Sequence, residues 1–468
     1  MNETRELANF IVGTKYSDLS KEVIEKAKIL MLDQFGCELA FSVMAPSKAV
    51  YEYVKGRKGT RTDSTVVYYG LKTVPEDAAF ANAVFGHGFE MDDTELRTTS
   101  HPGVAVIPAA IAMGEMESVT GKELITSIVV GYDVMIRIGI ASRSMQERGF
   151  HTTGVLGPFG STAAACKALA LDAATVANAL GITASQCGGI AEYTRSGGSV
   201  KRLHAGFAAH AGVKAALLAR LGVTGPPTAI EGEKGFCQAY ADKYSLKDIT
   251  DGLGREFRIL WTGNKPYCCC LAQHAVIDAT ALIASNSRLK PGDIEEIVVG
   301  QKAREAGSVG VIIEPTDVVS AQFSARFGLA TRLIKGGNQF RDYSDRNIRD
   351  PRILALARKV KYIVDEELEK MPPDSNPAKV TIKLKNGTVY QERVDYSKGT
   401  IQNPMTREEL EAKFRSLAST VMPEKKVEDI ILATRRLEEM DNVNKLGTLL
   451  TAGGETPSRN NKGTVKIR

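Results

Sequence analysis

The run HAGFAAHAGVKAALLARLG, residues 204–222, decides the fold. Ten of its nineteen residues are alanine or glycine. Alanine is the strongest helix former, and small side chains let helix axes approach closely, so the run reads as a packed helix rather than a strand. Similar small-residue runs precede it in AAFANAVFGHGFE (78–90), AVIPAAIAMGE (105–115) and STAAACKALALD (161–172). Nearer the start, residues 3–14 and 19–41 carry apolar side chains at spacings of three and four, which buries one helical face. Thr120 and Glu123 form a capping-box pattern ahead of LITSIVVGYDVMIRIGI (124–140). Up to about residue 266 the chain is therefore read as helical.

The texture changes near residue 290. DIEEIVVGQK (293–302) fits a strand, and AKVTIKLKNGTVYQERV (378–394) places an Asn-Gly turn between two β-prone arms. Between them, VSAQFSARFGLATRLIKGG (319–337) reads as one helix ending at glycines. Helical patterning returns in MTREELEAKFRSLA (405–418) and KVEDIILATRRLEEM (426–440), while the tail SRNNKGTVKIR (458–468) is polar and expected to fray. The predicted fold class is mainly α. Residues 1–266 and 403–468 form a large helical domain, and 267–402 form a smaller α+β domain.

Composition excludes several classes. The 468 residues are 43% hydrophobic, enough for a large core. With 60 basic and 55 acidic residues and no long basic run interleaved with aromatics, nucleic acid is a poor partner. Apolar stretches are broken by Pro or Gly before a membrane span is reached, and MNETRELANFIVGTKY (1–16) lacks a signal-peptide apolar core, so no membrane association and a cytoplasmic location are expected. The seven cysteines are irregularly spaced, three of them consecutive at Cys268, Cys269 and Cys270, which suits neither a metal cluster nor a disulfide framework. No HExxH is present, and GLGREF (252–257) falls short of GxGxxG, so neither a metal nor a dinucleotide cofactor is expected.

All six histidines lie between His87 and His274, and four segments around them carry candidate chemistry. In MDDTELRTTSHPG (91–103), Thr94 is suited to donate to a substrate carboxylate and His101 to carry a proton, and a helix starting after Pro102 would aim N–H groups at an anion. A solvated loop with an Asp cap explains the same residues. In GFHTTGVLGPFGSTAAACKALALD (149–172), His151 is either a structural cap or an acid/base, with Thr152 and Thr153 as donors. In TRSGGSVKRLHAGFAAHAG (194–212), Ser199 can cap a helix whose first turn holds Lys201 and Arg202. Cations there oppose the helix dipole, which an anionic ligand would compensate; Arg195 can assist, His204 shares the face of Lys201, and His210 reads as packing. In WTGNKPYCCCLAQHAVIDA (261–279), Lys265 is a candidate carboxylate binder and Cys270 is either packing or a polar site member.

Five segments taken in order, HGFEMDDTELRTTSHPG (87–103), GYDVMIRIG (131–139), GFHTTGVLGPFGSTAAACKALAL (149–171), KRLHAGFAAHAGVKAALLARLG (201–222) and KPYCCCLAQHAVIDA (265–279), resemble the MmgE/PrpD family. Activities in that family include 2-methylcitrate dehydration, cis-aconitate decarboxylation and iminodisuccinate epimerisation. The resemblance implies a helical domain with an inserted α+β lid, a homodimer, and metal-free, cofactor-free chemistry on a small di- or tricarboxylate in an interdomain cleft. It also implies that Asp93, Thr94, His101, His151, Lys201 and Lys265 line the site. Two departures stand out: Glu90 replaces a common aspartate, and Cys270 occupies the place where cis-aconitate decarboxylase has a histidine five residues after its lysine.

The expectation is a hydro-lyase that abstracts a proton α to a carboxylate. His151 leads proton transfer, His101 complements it, Asp93 or Glu90 tunes a histidine, Thr94 anchors substrate, Lys201 and Lys265 stabilise charge, and His204 and Cys270 contact substrate. Asp92 is read as structural. Epimerase, decarboxylase and non-catalytic carboxylate-binding dimer are the alternatives.

Overall fold

A computed structural model describes residues 2–57, 63–196, 198–287 and 289–452, with the backbone alone for Arg195 and Ser196. The tail expected to fray lies outside the described residues. The chain divides into two compact units. The first takes the chain up to Gly88, Asp92–Thr262 and the part from Thr406; the second takes Phe89–Met91 and Gly263–Met405. The sequence placed the boundaries at 266/267 and 402/403 and did not foresee that Phe89–Met91 leave the first unit.

The first unit is helical: α1 (Glu3–Gly13), α2 (Lys21–Phe41), α3 (Ala45–Lys55), α4 (Pro75–Gly86), α5 (Gly103–Glu117), α6 (Gly121–Ala141), α7 (Thr152–Ala168), α8 (Ala173–Ala184), α9 (Tyr193–Ser196) and α10 (Val200–Arg220). A short hairpin not foreseen from sequence, β1 (Ser64–Val66) with β2 (Leu71–Thr73), precedes α4. The helices Arg407–Ala418 and Glu424–Arg435 also belong to the unit. The Thr120–Glu123 box forms as read: the Thr120 N–H donates to Glu123 Oε2 at 2.7 Å, and Glu123 N–H to Thr120 Oγ1 at 3.3 Å. The α6 helix that it starts is long and apolar enough to cross a membrane, yet 94% of its apolar window is buried inside the protein.

Small residues set the spacing of the central helices. A Cβ built on Gly212 of α10 would lie 2.4 Å from Ser161 Cβ and 2.6 Å from the Thr162 backbone nitrogen of α7. One built on Gly157 of α7 would lie 2.8 Å from Ala208 Cβ of α10. A backbone neighbour cannot swing aside, so Gly212→Val is expected to cost about 1–3 kcal/mol by overpacking. A thermal melt measures this as a lowered midpoint, and an unchanged midpoint contradicts it.

The second unit carries a four-stranded sheet in the order β4-β3-β5-β6. Its strands are β3 (Ile294–Gln301), β4 (Val360–Val364), β5 (Ala378–Leu384) and β6 (Val389–Val394). β3 runs parallel to β4 and antiparallel to β5, and β5 pairs antiparallel with β6 through the predicted Asn-Gly turn. Gly387 takes φ +85° there, and Asn386 Oδ1 accepts from Thr388 N–H at 3.0 Å. Alternation keeps Ala378, Val380, Ile382 and Leu384 buried on one face of β5. The single helix expected over 319–337 is two helices, Val318–Gln322 and Ala325–Lys335. Ser324 separates them: its extended backbone breaks the first, and its hydroxyl caps the second by accepting from Phe327 N–H at 3.1 Å.

Candidate active site

Four imidazoles meet in the first unit. His87 caps the C-terminus of α4, His101 ends the loop before α5, His151 is the N-cap of α7, and His204 lies in the first turns of α10. Their ring centroids form a chain, with His101 to His87 at 5.2 Å, His87 to His151 at 5.8 Å and His151 to His204 at 5.1 Å. Tyr193 of α9 closes the far end edge-on, 5.3 Å from His151. Lys201 is buried one turn before His204 on α10.

The 91–103 loop is tied down by the hydroxyls first read as substrate donors. Thr152 Oγ1 donates to Thr99 O at 2.6 Å, and Thr153 Oγ1 accepts from His101 N–H at 3.1 Å. Glu95 folds the loop on itself by accepting from the N–H and hydroxyl of Thr98. The Arg97 guanidinium stacks on Trp261, 3.7 Å from the ring centre, within the same unit.

The two adjacent aspartates exchange the roles assigned from sequence. Asp92 Oδ2 lies 2.9 Å from His87 Nδ1 and 3.2 Å from His101 Nδ1, so Asp92 is the carboxylate that addresses histidines. Asp93 instead accepts from Gly103 N–H at 3.1 Å, at the start of α5, and from the Tyr132 hydroxyl at 2.7 Å. Its side chain serves a helix terminus; only its backbone oxygen reaches a histidine, taking the Nδ1–H of His101 at 2.6 Å. Glu90 at φ +59° turns the chain just before them, and successive side chains of the non-helical segment then point to different sides.

Burial pushes the Asp93 carboxyl up to about 7, with the Tyr132 bond opposing and Asp92 adding to the rise. Because the folded value exceeds the unfolded one, the stability from protonated Asp93 is full below about 4. It is lost as pH rises to about 7, at about 1.4 kcal/mol per unit. Denaturant midpoints of Asp93→Asn should therefore change less than those of the parent between pH 4 and 7. Equal slopes would contradict this.

His151 and His204 share a hydrogen bond, Nδ1 to Nδ1, at 2.9 Å. One nitrogen donates and the other accepts, so the accepting ring is neutral in this contact. Burial holds His151 well below the usual imidazole range, and the positive potential of His87 and Lys201 deepens the effect. The same causes bring His204 down to about 4. His204, expected to contact substrate, thus orients His151. Thr94 is buried on the same loop as Asp92. Ser199 precedes α10 but makes no side-chain cap, leaving Lys201 in an uncapped first turn. His210 packs edge-on against Phe80, as read.

Glu90, Lys265 and Cys270 belong to the second unit. Lys265 is 1% exposed and pairs with Glu90, Nζ to Oε2, at 3.3 Å. The Phe89 carbonyl accepts from the Cys268 thiol at 3.2 Å and from Gln322 Nε2 at 3.0 Å, which fixes the 89–91 segment in that unit. Cys268 and Cys269 are buried, and burial raises the Cys269 thiol far above its ordinary value, so it is an unreactive packing residue. Cys270 is half-buried, its N–H donating to Gln322 O at 2.9 Å.

Sequence reasoning quoted His87 beside the first loop but left it out of the site. The usable signal was its place five residues before Asp92, at the end of a small-residue helix.

The MmgE/PrpD N-terminal domain matches residues 5–248 and the MmgE/PrpD C-terminal domain matches residues 267–439. Among curated relatives, cis-aconitate decarboxylase of Homo sapiens is 29% identical, covering 96% of this chain and 94% of its own length. The Mus musculus enzyme of the same name is 30% identical over 96% of this chain and 93% of its own length. The Aspergillus terreus one is 27% identical over 93% and 94%. Two domain matches in order, with relatives aligned along nearly their whole length, place this chain in the MmgE/PrpD family.

Proposed function

We propose that the chain is a lyase that dehydrates a small di- or tricarboxylate of the 2-methylcitrate type. The observation that carries this reading is the row of four imidazoles, three of them buried, beside Lys201. Dehydration needs a neutral base for the proton α to a carboxylate, a positive potential for the enediolate-like charge, and an acid for the departing hydroxyl. His151, held neutral and oriented by His204, is the base. Lys201, whose charge is felt by both rings, meets the developing charge, and Thr94 anchors the substrate. His101, its Nδ1–H committed to the Asp93 carbonyl, is the acid that gives a proton to the hydroxyl. The C–H pair becomes the new double bond as the C–O bond breaks and water departs.

An anionic substrate also acts on the base. Negative charge beside His151 raises its proton affinity relative to the free protein, so the acid limb of kcat should lie above that of kcat/KM. Coincident limbs would remove this contribution.

Decarboxylation is the second reading, favoured by the names of the relatives. It uses the same carbanion, generated by loss of carbon dioxide and quenched by a histidine proton. Cys270, where the resemblance gives those enzymes a histidine, keeps it second. Incubation with 2-methylcitrate, citrate, cis-aconitate and iminodisuccinate in deuterated water, read by NMR, tests both. Water loss supports the proposal and carbon dioxide loss replaces it with the second reading. Inversion with deuterium entry makes the chain an epimerase, and absence of turnover makes it a carboxylate-binding protein.

A further inference from the structure

His87 is 1% exposed, and its Nε2 is buried without a hydrogen-bond partner among the described residues, while its Nδ1 is bonded to Asp92. A buried imidazole with an unpaired nitrogen carries a desolvation cost that an apolar ring of similar size would avoid. Packing alone therefore does not account for a histidine here. What His87 has and phenylalanine lacks is the Nδ1–H aimed at Asp92. That contact is unusual in its sharing: the same carboxylate oxygen, Oδ2, lies within reach of His87 at 2.9 Å and of His101 at 3.2 Å. A carboxylate only accepts, so His87 presents its Nδ1–H to that oxygen; the Nδ1–H of His101 goes to the Asp93 carbonyl at 2.6 Å with the Asp92 charge beside it, and each ring keeps its basic nitrogen at Nε2.

We infer that His87 is a positioning residue: by donating to Asp92 Oδ2 it takes up part of the negative charge that stands 3.2 Å from His101 Nδ1 and so limits how tightly Asp92 holds a proton on His101. A hydrogen bond to a carboxylate stabilises its charge and weakens it as an acceptor for anything else. With His87 in place, His101 gives up its proton more readily, which an acid that must release a proton in every turnover requires.

Other groups bear on the pair. On the helix side, Asp33 and Cys37 of α2 and Lys413 of the helix Arg407–Ala418 form a buried polar group, in which Lys413 Nζ lies 2.6 Å from Asp33 Oδ1. The fields of Lys413 and Cys37 reach Asp92. On the site side, Tyr132 feels Asp92, and the charges of His151, His204 and Lys201 act on one another and on His87. Replacing His87 also removes its own field at His151 and His204, but a leucine and an asparagine remove it alike, so the difference between those two variants isolates the hydrogen bond to Asp92.

The inference rests on the proposed proton transfer by His101 for its catalytic meaning, but not for its test. His87→Leu removes the N–H and keeps the bulk, whereas His87→Asn keeps an N–H near the position of Nδ1. Long-range proton–nitrogen NMR of the histidine-labelled full chain reads the titration midpoint of His101 without any turnover. His87→Leu is expected to raise that midpoint by about one pH unit and His87→Asn to bring it most of the way back. If Leu leaves the midpoint where it is, or Asn and Leu move it equally, the inference is overturned. If the midpoint moves as expected but no carboxylate is turned over, the inference stands and the proposed function falls. In an active protein, the matching limb of the pH–rate profile moves with the midpoint. A merely structural role would lower activity at every pH alike. Should His87→Leu fail to fold, His87→Gln, whose amide overshoots the Nδ1 position, replaces it and is expected to raise the midpoint in the same sense; no rise overturns the inference.

Discussion

His151→Ala is expected to lower kcat for the processed carboxylate by about 10²–10⁴-fold, the range for removing a positioned proton carrier. The size follows from the site. His151 is the N-cap of α7, held from behind by the His204 Nδ1 contact at 2.9 Å, so no neighbour can swing in to replace it. KM should move far less, because the ring makes its largest contribution to the transition state rather than to ground-state binding. His204→Ala should fall between the parent and His151→Ala, since it leaves the base present but unoriented. Steady-state kinetics with the substrate found by NMR checks all three. Wild-type turnover in a folded His151→Ala protein removes His151 as the base.

Asp92→Asn is the second large effect, expected to cost about 10²-fold or more in kcat. The amide is nearly the same size, but it has one acceptor and brings a donor. It removes the negative charge that faces His87 at 2.9 Å and His101 at 3.2 Å, and an amide N–H facing an imidazole forces the opposite tautomer. Asp93→Asn is the internal comparison. Its carboxyl serves Gly103 N–H and the Tyr132 hydroxyl, so its substitution should change stability more than kcat. The reverse ranking of the two variants would restore the assignment read from sequence.

The helices were legible because they depend on local pattern. The Thr120 cap, the small-residue runs and the Asn386-Gly387 turn act over four to ten residues, which is the range that one sequence displays. The break at Ser324 was hidden because serine is tolerated within a helix and becomes a cap only when the backbone before it is extended. β4 was missed because an edge strand with half-exposed Ile363 and Val364 shows no clean alternation. The histidines could be nominated from residue type alone. Which aspartate they meet depends on the backbone turn at Glu90, and adjacent acidic residues in a loop give no sign of which one faces inward. His204 was nominated as a substrate contact because sequence cannot reveal that another imidazole stands 2.9 Å away.

The contact at Gly212 also acts as a fulcrum. His204 sits eight residues before it on α10, a lever arm of about 12 Å. A tilt of only about 5° there would sweep the imidazole by roughly 1 Å, a displacement able to cost about 10²-fold in rate. Gly157, three residues beyond Gly154 and six beyond His151, plays the same part for α7 against Ala208. The alignment of the His151–His204 pair is thus set at positions far from the rings: two glycines hold two histidines in register, and a methyl group at either is expected to shift their contact before it unfolds the chain.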